Sequence, residues 1–278
     1  MVGLPQLSSD YIDRHDYAML FESRLYDQSN FMSYLFVDPV RIIKAIRFGD
    51  VRQAFCEIER YSKNFYLAGY FSYELGYFFE QGIFKEKVCS RMPLIHLGVF
   101  DRRFYFNHKT GENNMNMPGL FSQVAPKESF YIQNLKLDIN SEEYRGKIMR
   151  IKEYIRKGDT YQVNFTSRYN FGFLGSAFQL YCGLCSRQHV QYSAFCKFKN
   201  SYIISLSPEL FLRKDGKNIY SQPMKGTIKR GRDAKEDAKN VLRLKTSLKD
   251  KAENLMIVDL VRNDLGRVCE VNSVKVSE

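Results

Sequence analysis

The sequence has no apolar run long enough to span a membrane, and no basic or hydrophobic leader opens it at Met1-Val-Gly-Leu-Pro-Gln6. Export and membrane insertion are unsupported, so a cytoplasmic protein is the expectation. Cysteine is scarce: six in 278 residues are too few for a disulfide scaffold. Cys182, Cys185, His189 and Cys196 fit no common zinc spacing, and their neighbours Leu180, Tyr181 and Leu184 read as a packed helix. Neither G-x-G-x-x-G nor a P-loop occurs, which leaves nucleotide binding without support. Low-complexity stretches are absent too, and with 44% hydrophobic residues the chain is too apolar for disorder.

What is present is enough chain for one large or two modest cores, and a net charge of +11. The basic residues crowd between Arg213 and Lys251. They follow a helical pattern and alternate with Asp233, Glu236 and Asp237, not with stacking aromatics. A solvated helix face, or a positive field for a small dianion, explains them better than a nucleic-acid surface.

Residues 10 to about 110 read as mixed structure. Asp50-Val-Arg-Gln53 is a capping box opening a helix whose Val51, Phe55 and Ile58 share a face. Tyr66–Tyr73, Leu94–Phe100 and Arg103–Phe106 are strands rich in aromatics. His108 to Lys127 reads as a surface loop, the softest part of the chain and a candidate boundary. Asn140-Ser-Glu-Glu143 caps a helix that carries Tyr144, Ile148, Ile151 and Ile155 at helical spacing and ends at Gly158. Alternation predicts a strand over 161–171, with Gln162, Asn164, Thr166 and Arg168 on its polar face. That face suits water or the floor of a ligand cavity equally. A strand over 202–206 breaks at Ser207-Pro-Glu209, and a hairpin turning on Lys214-Asp-Gly-Lys217 leads to Pro223. Helices over about 234–248 and 250–261 complete an α+β pattern.

Three places carry chemistry. Lys225 stands between Met224 and Gly226 at a strand end, where packing gives it little use. Gly226 permits close backbone approach, and Thr227 adds a hydroxyl beside a free amide, a cradle for a carboxylate. Desolvation or cationic neighbours would make the amine a nucleophile; a solvated turn lysine is the plainer alternative. Glu209 follows Pro208 at the end of a hydrophobic strand. Buried, it stays protonated and serves as a general acid; otherwise it sits in solvent or pairs with Arg213. The hairpin returns the chain so that Lys225 approaches Glu209. Asp250 and Glu253 share one helix face at the margin of a buried helix. Paired hard oxygens suit Mg2+, which keeps waters and takes one or two carboxylates. An acidic first turn favoured by the helix dipole is the alternative. Asp259, Arg262, Asn263 and Asp264 read as an ion-pair and capping network at the helix end.

Taken in order, four stretches resemble the signatures of the chorismate-utilising enzymes. They are Gly158-Asp-Thr-Tyr-Gln-Val-Asn164, Leu206-Ser-Pro-Glu-Leu-Phe211, Ser221–Gly231 and Lys249–Val268. Leu20-Phe-Glu-Ser23 and Ala68-Gly-Tyr-Phe-Ser-Tyr-Glu74 are similar to the family's N-terminal region. The resemblance implies the family's α+β fold of antiparallel sheets flanked by helices, incomplete at the C-terminus, with regions 1–125 and 135–278. Lys225 in Pro-Met-Lys-Gly-Thr resembles the para-aminobenzoate synthase component I branch. Anthranilate synthase component I usually has a small residue there and is the alternative. The resemblance implies that Lys225 attacks the chorismate ring at C2 while Glu209 assists departure of the C4 hydroxyl. Ammonia then adds at C4 and expels the lysine, giving 4-amino-4-deoxychorismate for folate synthesis. Gly226 and Thr227 would contact substrate. Gln162 stands where the isochorismate branch has a lysine that activates water, which implies that water is not the nucleophile. Glu253 matches a Mg2+ ligand, supported by Asp250, and ammonia would come from a separate glutaminase subunit. The family's Asn-Pro-x-Pro-Tyr type element is here His189-Val-Gln-Tyr-Ser193, and its Gly-Ala-Pro-Lys block is not reached by Glu278. A truncated or split product with little activity alone is therefore expected, or a remnant that binds chorismate or a glutaminase without turnover.

Overall fold

In the computed structural model, residues 3–80, 92–122 and 130–276 are described. The first region holds α1 (Ser9–Asp13), β1 (Tyr17–Glu22), β2 (Met32–Val37), β3 (Arg41–Ala45) and α2 (Phe48–Tyr61). It continues through β4 (Tyr66–Phe71), the short α3 (Gly76–Phe79), β5 (Ile95–Phe100) and β6 (Phe104–Asn107). Then come β7 (Phe130–Leu137), α4 (Ser141–Lys157), β8 (Tyr169–Gly175), α5 (Ala177–Arg187), β9 (Tyr192–Phe198) and β10 (Ser201–Ser207). The hairpin of β11 (Leu210–Asp215) and β12 (Asn218–Gln222) precedes α6 (Ala234–Thr246) and α7 (Leu248–Gly266).

Alternation along the strands builds four layers. The five-stranded sheet runs β10-β9-β1-β2-β6, with β9 pairing directly onto β1 of the first region and β10 onto β9. On one face Leu20, Leu35 and Phe195 pack against Ile12 of α1 and Phe178 and Tyr181 of α5. On the other, Met19, Phe36 and Phe198 meet Ala68 and Phe100 of the three-stranded sheet β3-β5-β4. That sheet's far face, through Ile43, Leu97 and Val99, receives Val51 and Ala54 of α2. Every residue of β5 is buried, as a strand covered on both faces requires.

Four local expectations need correction. Helix α2 begins at Phe48, so Asp50 is three residues inside; its carboxylate reaches back to the amides of Ile46 and Arg47 at 3.2 and 3.0 Å. The 108–122 loop is not merely superficial, because Met115 and Leu120 plug the core beneath α5; residues 123–129 of the proposed boundary lie outside the described residues. The alternating stretch becomes a strand only from Tyr169, since its partner β7 ends at Leu137, opposite Tyr169. Among the described residues no strand faces 161–168. The run Leu255-Met-Ile-Val258 lies in a helix with no buried residue, and α7 extends to Gly266, which leaves Asn263 and Asp264 inside it.

Candidate active site

The lysine segment 223–231 has no regular secondary structure, so its position depends on side chains from three elements. The first anchor is Glu209. Between β10 and β11, the Ser207 hydroxyl accepts the Glu209 amide at 3.1 Å, which turns the chain after Pro208. The Glu209 carboxylate then accepts the amide of Met224 at 2.9 Å, one residue before Lys225. Arg213 does not pair with Glu209; it donates to the Ser29 carbonyl at 3.1 Å and lies over the Tyr220 ring.

The second anchor is the start of α7. Gly226 has φ +74°, and a β-carbon there would stand 2.9 Å from Cβ of Asp250. Both the left-handed backbone and the close approach require glycine. The third is α6. Asp237 accepts both Nε and Nη2 of Arg230 at 2.7 Å and the Gly231 amide at 2.8 Å. These donors, Arg230 first, hold the Asp237 carboxyl below its usual range. Asn240 adds a bond to the Lys229 carbonyl at 3.0 Å.

Held this way, Lys225 lines a cavity of about 340 Å3 with Pro223, Met224, Leu244, Asp250 and Lys251. Two ammonium groups against one carboxylate leave the space net positive, which suits an anion. Of the residues singled out in the sequence, Lys225 and Asp250 line this cavity. Glu209 does not: it is exposed, not buried as a protonated acid requires, and reaches the lysine loop through the Met224 amide, while Gly226 abuts Asp250. Sequence reasoning missed Lys251, Asp237 and Asn240. The visible signal for Asp237 was the Arg-Gly-Arg-Asp run followed by two acids at a helix start.

The chorismate binding enzyme family matches residues 21–278. This chain belongs to that family. Aminodeoxychorismate synthase component 1 of Escherichia coli is 35% identical over 222 residues, 76% of this chain and 49% of that protein. Anthranilate synthase component 1 of Saccharolobus solfataricus is 34% identical over 217 residues, 76% of this chain and 51% of its own length. The chain thus spans about half the length of the curated relatives it matches. Among solved structures, anthranilate synthase component I from Streptococcus pneumoniae superposes with a TM-score of 0.69 at 22% identity, over 87% of this chain and 63% of that one. That likeness establishes the chorismate-utilising-enzyme fold.

Other expected positions in this family member lie elsewhere. Glu253 does not line the cavity; its carboxylate is 3.7 Å from the Lys249 ammonium on the same helix. Thr227 and Gln162 are not in the lining either. Gln162 has a buried side-chain oxygen without a hydrogen-bond partner. Among the described residues no three His, Cys, Asp or Glu side chains gather as a metal site, and no helix is long and apolar enough to cross a membrane. Cys182 and Cys185 sit in α5 as free thiols, and burial pushes the Cys182 thiol up to about 12.

Proposed function

We propose that this chain supplies the nucleophile-bearing part of a chorismate-aminating site, the component I reaction of aminodeoxychorismate synthase. The observation that carries the reading is that Lys225 lines a cavity with Asp250 and Lys251, while Glu209 accepts the amide of the adjacent Met224. In the proposed chemistry the Lys225 amine forms a bond to ring C2 as the ring double bonds shift. The C4 oxygen leaves as water on taking a proton from Glu209. Ammonia, delivered by a glutaminase partner, then bonds to C4, the double bonds shift back and the lysine amine is released. Lys251 and the amides near Gly226 would hold the substrate's carboxylates. Asp250 and Glu253 would hold Mg2+, which supplies positive charge against the ring carboxylate. The lysine favours amination at C4 over the anthranilate reaction, and the two products differ in whether the enolpyruvyl group is retained.

The test is to incubate the chain with chorismate, first without ammonia, and map the products by mass. The expected result is a low yield of an adduct of chorismate less water on Lys225, absent in Lys225→Ala, with little 4-amino-4-deoxychorismate once ammonia is added, because the chain spans about half the length of its relatives. Glu209→Gln is expected to slow adduct formation by about 10²–10⁴-fold. Bound chorismate with no adduct, or an adduct on another lysine, would sink the reading.

A further inference from the structure

A second cavity, of about 290 Å3, shares no lining residue with the first. It lies where the N-terminal segment, β1 and α5 meet, with Leu7, Leu20 and Phe178 as apolar wall and Cys182 beside them. Two charged side chains open onto it, Glu22 and Arg24. The Glu22 side chain is only 5% exposed. One of its oxygens accepts the Tyr181 hydroxyl at 2.8 Å, and the other stands 2.9 Å from Nε of Arg24. That last contact is a close ion pair, with Nε of Arg24 itself buried.

Burying such a pair costs several kcal/mol per ion before attraction returns any of it, so stability alone is a weak reason for it. Burial works against the charge of Arg24, but Glu22, Cys185 and Tyr181 outweigh it and keep the guanidinium protonated. Cys182, a thiol rather than a thiolate, is a neutral neighbour. An apolar hollow with a few converging polar groups is the ordinary form of a small-molecule site. The guanidinium fork matches a carboxylate in geometry. Glu22 already offsets one positive charge, so a second carboxylate on the ligand would be repelled.

We infer that this cavity is a binding site for a small monocarboxylate with a compact apolar body, its carboxylate on Arg24 and its body against Leu7, Leu20 and Phe178. The site is independent of the amination chemistry at Lys225. Phenylacetate, and 2-phenylethanol as its neutral counterpart, are suitable probes for titration of the full chain by calorimetry, with amide shifts read by NMR. Phenylacetate is expected to bind with Kd below about 1 mM and to shift the Gly183 and Ser186 amides. The alcohol is expected to bind at least about tenfold more weakly. Arg24→Gln should erase that preference. If Arg24→Gln fails to fold, Arg24→Lys, which keeps the charge without the fork, should narrow the preference. Ser186→Phe at the exposed rim should block both probes, and Lys225→Ala should change neither. Equal affinity for acid and alcohol, absence of binding, or loss of binding in Lys225→Ala would each overturn the inference.

Discussion

The layered sandwich and the segment from α6 onward are built by the same local rules and finished differently. In the sandwich, α2 and α5 each bury a face, and β5 is covered throughout. Helices α4, α6 and α7 have equally good caps, from Asn140, Asp233 and Ser247, yet bury nothing. Helix α7 bears apolar residues in an unbroken run, a pattern normal for a helix surrounded by protein, while Leu255 is 61% exposed. Caps and turns form elements; cover is a separate requirement. The lysine site lies in the uncovered part, and polar contacts from Glu209, Asp237 and Asn240 hold its loop where apolar burial does not.

The sharpest test of that contrast is a pair of truncations. Phe100 is fully buried between the sheets and packs on Phe36 at 5.3 Å. Phe100→Ala should cost about 3–5 kcal/mol in denaturant unfolding, whereas Leu255→Ala should stay within about 0.5 kcal/mol. Equal losses would mean that α7 is packed in solution.

Acid probes the same sandwich through His96. It lies among the rings of Tyr17, Tyr70 and Phe198, opposite Lys44 and Tyr70 in the ladders, and burial followed by the Lys44 charge depresses its pKa to about 4. The unfolded chain takes up a proton near the ordinary value of 6.5, and the folded one resists until about 4. Stability should therefore fall as pH drops through that window, by up to about 3 kcal/mol, with full stability above it. His96→Phe should flatten this slope, as seen in urea midpoints collected across the window.

Much of this architecture was legible because its causes are local. The capping box at Asn140, the αL stop at Gly158 (φ +79°) and the hairpin turning at Gly216 each need only neighbouring residues. The 161–168 stretch was misread because alternation specifies a face and not a partner, and β7 stops short of it. Lys225 and Glu209 stood out by residue type, and the hairpin joined them. Asp237 did not, because its role depends on a loop folding back onto α6, a contact no short window contains.

Gly226→Ala tests the junction between the lysine loop and α7. The added methyl meets the Asp250 side chain in a backbone conformation that alanine resists, so about 1–3 kcal/mol of strain should be released by displacing the loop. Hydrogen exchange over 223–231 should quicken while the sandwich amides keep their protection. Uniform loss of protection would show that loop and sandwich unfold as one unit.

Asp237→Asn should have the smallest effect on global stability and the most local one. Its amide oxygen can still accept the Gly231 amide, but the charge that pairs with Arg230 is gone. Both side chains lie at the surface, where water and salt weaken such pairs, so the unfolding midpoint should not move. The Arg230 and Gly231 segment should exchange faster, and salt added to the parent protein should reproduce part of that change. Asp237→Ala, which removes the acceptor as well, should loosen the loop further and leave salt nothing to act on. If both substitutions leave exchange over 223–231 unaltered, Asp237 does not hold the lysine loop, and the anchors at Glu209 and Gly226 suffice.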